Sequence, residues 1–395
     1  MMIGGLELFA IVGFLFAAYA VIANDSIQTL GTFLASNSHR PWWVLWIFAA
    51  GIMVAALIFQ LFYGGGDIAD GKLNGIPYPE GGIKWWHAVL PLVLLFLTRF
   101  GIPVSTTFLV LTVFALTGGA ATEGKMQSML IKSLIGYAVA FAAGGVIWLV
   151  ISKAWETWIT RTKNDGKPHP LWSVFQWATT GFLWWTWLLQ DFANIFVFFP
   201  RTTETINTTM NADGVSVTQV TTIDLPYEEP QIIESSRQVV NIPAETLADA
   251  EKLEKFLDPS ISVSFIPGLI IFGALVMAAM LAYVFATRGG EIQKIVLAKT
   301  NTVDVRAATI VDLIYAIVLY YFKELNDVPM STTWVFLGLL AGRELAISFV
   351  TDLRERGVAA LDVGSDAGKA LIGLVISVVL AVGLPWAATG NMPTF

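Results

Sequence analysis

The chain of 395 residues contains no cysteine. That excludes disulfides, thiolate nucleophiles and thiolate-built metal sites. Histidine is scarce as well: His39, His87 and His169 fall in expected loops and form no ligand cluster. Only 13% of the residues are charged, where a soluble domain carries about 25%. No basic residue precedes Arg40, so residues 1–23 lack the positive start of a cleaved signal. Despite the cleavage-like Ala18-Tyr19-Ala20, the segment reads as a retained first helix.

What is present is apolar surface. Hydrophobic residues make up 55% of the chain and the mean hydropathy is +0.67. Segments 42–63, 127–152, 171–199, 263–286 and 370–388 are each long enough for a helix to cross a hydrocarbon core of about 30 Å. The expected fold is an all-α polytopic membrane protein with the lipid bilayer as its solvent, and nothing points to nucleic acid. Fifteen tryptophans fit interfacial belts. The pairs Trp42-Trp43, Trp85-Trp86 and Trp184-Trp185 are expected at helix ends.

Basic residues cluster in 153–170, 287–306 and 343–356, which the positive-inside rule assigns to the cytoplasm. Arg343 and Glu344 then belong to a solvated cytoplasmic helix. The one long polar segment, 202–262, holds three Lys/Arg against eleven Asp/Glu and is expected outside. Threading the spans between these loops puts both termini outside, in a plasma membrane of the bacterial inner-membrane kind. Within the outer segment, GVSVTQVTTIDL and QIIESSRQVVNI read as two strands around a turn containing proline. PAETLADAEKLEKFLD reads as a short amphipathic helix with Leu247, Leu253 and Leu257 on one face. The segment is thus expected to be a small extracytoplasmic α/β insertion.

The chain repeats itself. IPVSTT (102–107) returns as VPMSTT (328–333), and KSLIG (132–136) followed by Trp148 returns as KALIG (369–373) followed by Trp386. ANDSIQT (23–29) pairs with LQDFANI (189–195), each with an Asp flanked by amides: Asn24-Asp25-x-x-Gln28 and Gln190-Asp191-x-x-Asn194. From Asp25 to Ser105 is 80 residues (105 − 25), and from Asp191 to Ser331 is 140 (331 − 191). The outer segment accounts for the excess. Residues 1–152 are therefore expected to form a first transmembrane repeat, 153–170 a cytoplasmic linker, and 171–395 a second repeat carrying 202–262. Because loop 64–85 is expected outside and its counterpart 287–306 inside, the two repeats are inverted. Inverted repeats with matching polar breaks are the usual layout of secondary transporters, with discontinuous helices around a midplane site.

An Asp within a membrane span is costly and marks a functional site. Asp25 and Asp191 are expected to be one site seen from both halves. Each Pro-x-Ser-Thr-Thr segment opens an apolar helix, with proline favoured at the start and hydroxyls able to cap free N–H groups. Helix N-termini suit phosphate-like anions. Two of them, bearing Ser105, Thr106, Thr107, Ser331, Thr332 and Thr333, would surround a tetrahedral oxyanion, and ordinary capping is the plainer use of the same hydroxyls. Carboxylates beside an anion require a cation between them or a proton on one of them. Oxygens from Asn24, Asp25, Gln28, Gln190, Asp191 and Asn194 are hard ligands suited to Na⁺. A carboxylate accepting from a P–OH group mildly favours phosphate over sulfate.

An amide-Asp-x-x-amide segment and a Pro-x-Ser-Thr-Thr segment, both in two inverted copies, resemble the inorganic phosphate transporter (PiT) family of sodium- or proton-coupled symporters. ANDSIQTLGT matches that family's first motif well. QDFANI matches at Asp191, Ala193 and Asn194, with Gln190 in the place of Asn. Phe108 and Trp334 stand where the family has His after Ser-Thr-Thr.

The resemblance implies a phosphate site at Asp25, Ser105, Thr106, Thr107, Gln190, Asp191, Ser331, Thr332 and Thr333. It implies a Na⁺ site at Asn24, Asp25, Gln28, Asp191 and Asn194, with Na⁺ as coupling ion, no other cofactor and often a homodimer. Proton coupling, sulfate or another oxyanion, and a channel or non-transporting scaffold stay open as alternatives. An enzyme is not expected: GSDAGKA (364–370) is one residue too short for a nucleotide-binding loop and lacks its Ser/Thr. Lys132 and Lys369 are expected to snorkel at helix starts, and Arg99 and Lys323 to anchor at interfaces.

Overall fold

The computed structural model describes residues 2–3, 6–79, 81–100, 102–117, 124–162, 168–211, 214–223, 231–239, 260–289, 293, 303–325 and 329–392. A two-residue hairpin, β1 (Met2–Ile3) and β2 (Leu6–Glu7), leads into α1 (Leu8–Ala20). A π-helical turn (Val21–Asp25) then passes into α2 (Ser26–Ser36). The wide turn thus falls on VIAND, where the apolar run meets Asn24 and Asp25. Such turns loosen the helical ladder and recur at functional sites.

Next come α3 (Trp42–Phe62) and α4 (Trp85–Arg99). Residues 102–105 are non-helical, and a second π-helical turn (Thr107–Leu111) continues as α5 (Thr112–Thr117). Further on are α6 (Lys125–Arg161), α7 (Pro170–Phe196), α8 (Pro267–Ala286), α9 (Val305–Leu325), α10 (Thr332–Val350) and α11 (Arg356–Thr389). Six of these, namely α3, α6, α8, most of α9, α10 and α11, are long and apolar enough to cross a membrane. This is a helical integral membrane protein.

Burial separates a central helix from peripheral ones. The apolar stretch of α10 is 83% buried, whereas those of α6 and α11 are 22% and 28% buried. The exposed faces of the outer helices carry Ile131, Leu134, Val146 and Val150 on α6 and Leu371, Val375 and Val379 on α11, side chains that suit lipid. Close approach of α6 to α10 depends on glycine. A Cβ on Gly338 or Gly342 would fall on the carbonyl of Tyr137 or Phe141, and one on Gly144 would fall on that of Leu339. Small residues at such seams let membrane helices touch backbone to backbone.

The membrane helices separate two polar faces. On one, the Arg306 guanidinium donates to Thr162 Oγ1 at 2.7 Å and to the Ile159 carbonyl at 3.3 Å, and Arg288 donates to the Arg40 carbonyl at 2.9 Å. Two of the basic clusters picked out above therefore meet. On the other, Phe265 N–H donates to the Gly66 carbonyl at 3.1 Å and buried Arg201 to the Ile76 carbonyl at 2.6 Å. This face carries a four-stranded antiparallel sheet in the order β5-β4-β3-β6: β3 (Arg201–Asn211), β4 (Gly214–Ile223), β5 (Gln231–Val239) and β6 (Ser260–Phe265). β4 and β5 are the two expected strands, paired from Ile223↔Gln231 to Val215↔Val239. β3 and β6 extend the sheet beyond β4 without having been expected. The expected helix with Leu247, Leu253 and Leu257 lies outside the described residues.

Several expectations are corrected. Arg343 and Glu344 are not solvated: both are buried within α10, where Arg343 pairs with Glu156 of α6 at 2.9 Å and with Glu344 at 2.8 Å. The pattern misleads because pairing, not water, compensates these charges. Trp184 lies mid-helix and buried, its indole N–H donating to the Ala49 carbonyl at 2.9 Å. His87 is buried in the first turn of α4, not in a loop. Helix α6 runs through Arg161. Lys132 is buried, while Lys369 is exposed. GSDAGKA lies inside α11, so it is no phosphate-cradling loop. The side chains of Arg99 and Lys323 lie outside the described ones.

Candidate functional site

Two carboxylates from the motif pair sit in the buried interior. Asp25 ends the first π-helical turn, and Asp191 lies five residues (196 − 191) before the end of α7. Both are 1% exposed. The Pro-x-Ser-Thr-Thr segments approach them from two other elements. Thr106, at the start of the second helical run, donates a short hydrogen bond to Asp25 Oδ2, and Thr333 of α10 lies 3.4 Å from Asp25 Oδ1. Thr332 donates to Asp191 Oδ2 at 2.8 Å, and Asn194 donates to Asp191 Oδ1 at 2.6 Å. Each carboxylate is therefore held by a threonine of its own half, and Asp25 also by one from the other.

A further set of contacts crosses the halves. Asn194 Nδ2 lies 3.4 Å from Thr107 Oγ1, and Thr107 donates to the Met330 carbonyl at 3.1 Å. Ser331 N–H donates to Ser133 Oγ of α6 at 2.8 Å, and Tyr315 of α9 donates to the Thr332 carbonyl at 3.1 Å. Ser133 and Tyr315 escaped the sequence reading. Ser133 lies inside the repeated KSLIG, but Ala370 replaces it in the second copy, so the repeat gave no cue.

The serines act as caps. Ser105 Oγ accepts from Phe108 N–H at 3.3 Å, and Ser331 Oγ accepts from Trp334 N–H at 3.2 Å. An oxygen that accepts a cap bond keeps its own proton to donate. Phe108 and Trp334 lie near each other, their ring centroids 6.1 Å apart.

Beside the carboxylates, polar atoms are buried without a partner among the described residues. They include both amide atoms of Gln190, Asn194 Oδ1 and Trp187 Nε1. Gln190, Asn194 and Trp187 follow one another on α7 at helical spacing, so these atoms share a face. Buried polar groups are almost always satisfied, and each orphan calls for an explanation such as a ligand, ion or water. Of the residues singled out above, the structure gathers Asp25, Thr106, Thr107, Asp191, Asn194, Thr332 and Thr333 into one bonded network, with Gln190 on the same α7 face. Asn24 and Gln28 lie on the backbone path beside Asp25, but their side chains are outside the described ones.

No family model matches this chain, and no curated protein does. A solved structure described as "The sodium-dependent phosphate transporter" aligns over 94% of this chain and 95% of its own, at 14% identity and a TM-score of 0.49. The chain's own geometry defines its class: a helical integral membrane protein with a buried two-carboxylate, hydroxyl-rich centre between its spans.

Proposed function

We propose that the protein is a secondary active symporter that imports inorganic phosphate together with Na⁺, by alternating access around the Asp25–Asp191 centre. The observation that carries this reading is the pairing of two buried carboxylates with threonines from two matching motifs, beside orphaned amide atoms of Gln190 and Asn194. Buried carboxylates need a proton, a cation or strong hydrogen bonds, and threonine and amide oxygens around them make a hard-ligand environment suited to Na⁺. The hydroxyls of Ser105, Thr106, Thr107, Ser331, Thr332 and Thr333 would donate to the phosphate oxygens once the ion neutralises the carboxylates.

In this reading Asn24, Asp25, Gln28, Asp191 and Asn194 hold Na⁺, and Asp25, Gln190 and Asp191 also meet the phosphate. Carriage of both ligands at one centre makes their binding mutually dependent. Each raises the affinity for the other by the same factor. Residues 1–152 and 171–395 act as two inverted repeats that rock about the centre, with the sheet segment 202–262 outside and the Arg40–Arg306 face in the cytoplasm.

The test is uptake of labelled phosphate into proteoliposomes under an inward Na⁺ gradient, repeated with K⁺ in place of Na⁺ at fixed pH. Uptake that needs Na⁺ and resists excess sulfate is expected. Uptake driven only by a proton gradient, or suppressed by sulfate, moves the assignment to another ion or oxyanion. No uptake of any oxyanion sinks the transport reading.

A further inference from the structure

A third aspartate is buried in the membrane interior, and the Asp25–Asp191 centre does not use it. Asp312, on α9, is 1% exposed. Its two oxygens each accept one hydroxyl: Thr32 Oγ1 of α2 at 2.5 Å on Oδ1, and Thr180 Oγ1 of α7 at 2.5 Å on Oδ2. Three helices thus converge on one acid. Thr32 lies seven residues (32 − 25) beyond Asp25 along its helical path, and Thr180 eleven (191 − 180) before Asp191. Asp312 is therefore set apart from the centre by two to three turns.

We propose that Asp312 is a proton-binding site in its own right, exchanging its proton with the face that carries Arg40. An ionised carboxylate in this setting rests on its hydrogen bonds alone unless a cation compensates it. Among the described residues no ion pair involves Asp312. The buried ionisable groups on the elements packed against α9 have other places: Asp25 and Asp191 with their threonines, Glu156 and Glu344 with Arg343, Lys132 on α6, and Arg306 with Asp304.

The geometry suits a bound proton. Oxygens 2.5 Å apart are at the short end of O–H···O hydrogen bonds. With a proton on one oxygen, that oxygen donates to its threonine while the other still accepts from the second.

A polar ladder leads from Asp312 to the surface. Ser36, one turn beyond Thr32, donates to the Thr32 carbonyl at 2.8 Å and accepts from Gln176 at 2.5 Å. Asn37 donates to Gln176 at 2.8 Å and accepts from Arg40 Nε at 3.2 Å. In the other direction Tyr315, one turn along α9 from Asp312, touches the Thr332 carbonyl. The proton site is thus coupled mechanically to the segment that holds Asp191. Only the consequence for uptake rests on the transport reading; the proton site does not.

The test is infrared spectroscopy of the full chain in phosphatidylcholine vesicles, titrated with acid in the absence of phosphate and Na⁺. A carboxylic-acid carbonyl band is expected to grow on acidification, to vanish in D312N and to remain in D25N and D191N. In T180V, which keeps shape and removes one donor to the ionised form, the band should persist about one pH unit higher. Adding Na⁺ at fixed pH should leave the band in place. A band that is absent, insensitive to pH, unchanged in D312N or abolished by Na⁺ overturns the proposal. In uptake assays D312N should flatten the pH profile while D25N abolishes uptake. If no oxyanion is taken up at all, the infrared result still stands or falls by itself.

Discussion

Thr332 donates its hydroxyl to Asp191 at 2.8 Å across 141 residues of chain, and Thr106 does the same for Asp25 across 81. Each half of the protein thus ties its acidic motif to its own Ser-Thr-Thr motif. Thr333 to Asp25 and Asn194 to Thr107 then tie the halves to each other. A centre made this way is sensitive to movement of one half against the other. Any displacement that separates the halves must loosen the second pair of contacts before the first.

The Thr332 bond can be tested directly. Removing one hydrogen bond to a charged group costs roughly 1.5–3 kcal/mol, which is about 10- to 150-fold in an equilibrium constant. T332V is therefore expected to weaken Na⁺-dependent phosphate binding by at least about tenfold, and T332S to keep most of it. Calorimetric titration of both variants measures this. Wild-type affinity in T332V would remove Thr332 from the centre.

Much of this centre was legible in the chain because a buried Asp is rare in a span and a repeated one is rarer. Asp25, Asp191 and the two Ser-Thr-Thr segments could be found by residue type and spacing alone. Asp312 was not, because it occurs once and sits between apolar residues with no repeated cue. Arg343 and Glu344 were misjudged for a related reason. Arg343 compensates Glu344 beside it, but its other partner, Glu156, is 187 residues away, and no local pattern announces it. The sheet was half visible: β4 and β5 alternate β-branched residues around a turn, whereas β3 and β6 pair across the whole 201–265 segment.

Substituting either carboxylate of the centre separates role from fold. D25N and D191N keep size and hydrogen-bonding capacity while removing charge. Each is expected to bring Na⁺-driven uptake to background while the protein is still recovered folded from membranes. Size-exclusion profiles and uptake, run on the same preparations, decide this. Normal uptake in either variant would falsify the assignment of that carboxylate.

The polar loop between α3 and α4 gives a pH test outside the membrane spans. Burial raises the Asp67 carboxyl from 3.8 to about 6, against the N–H bonds from Gly71 and Ala69 and the nearby Arg201 charge. The folded loop binds the proton more tightly than the unfolded chain. Its contribution to stability is therefore full below about pH 4 and is lost as pH rises through about 6. The thermal midpoint in detergent should fall across that window. D67N should flatten that part of the slope, although its amide oxygen can serve only one of the two N–H donors. An identical slope in D67N would exclude Asp67 as the source.

The glycine seam between α6 and α10 predicts sharp size limits. A Cβ on Gly342 would meet the Phe141 carbonyl and the Gly145 amide, both backbone and neither able to swing aside. G342A is expected to lower the thermal midpoint markedly, whereas G383A on α11, where nothing lies within 4 Å, should be neutral. Equal effects from the two substitutions would mean that α6 and α10 do not touch as described.

Below that seam, Glu156, Arg343 and Glu344 form a buried ion cluster in which Trp148 also donates to Glu156 at 3.0 Å. The Arg343 guanidinium lies 5.2 Å from the Trp148 ring centroid. Such a cluster stabilises little against an apolar replacement, since desolvation offsets the attraction, but removing one partner leaves a charge stranded. R343M, which takes the cation away from the Glu156 carboxylate, is expected to cost roughly 3–5 kcal/mol and to lower the recovery of folded protein. The paired change E156L with R343M should recover most of that loss, because it removes both charges and keeps the volume, while Glu344 keeps its ion pair with Arg354 at 3.5 Å. Thermal unfolding of the two single variants and the double gives the coupling directly. If the double variant is no more stable than the sum of its singles, the charges do not compensate each other, and α6 is held to α10 by its glycines alone.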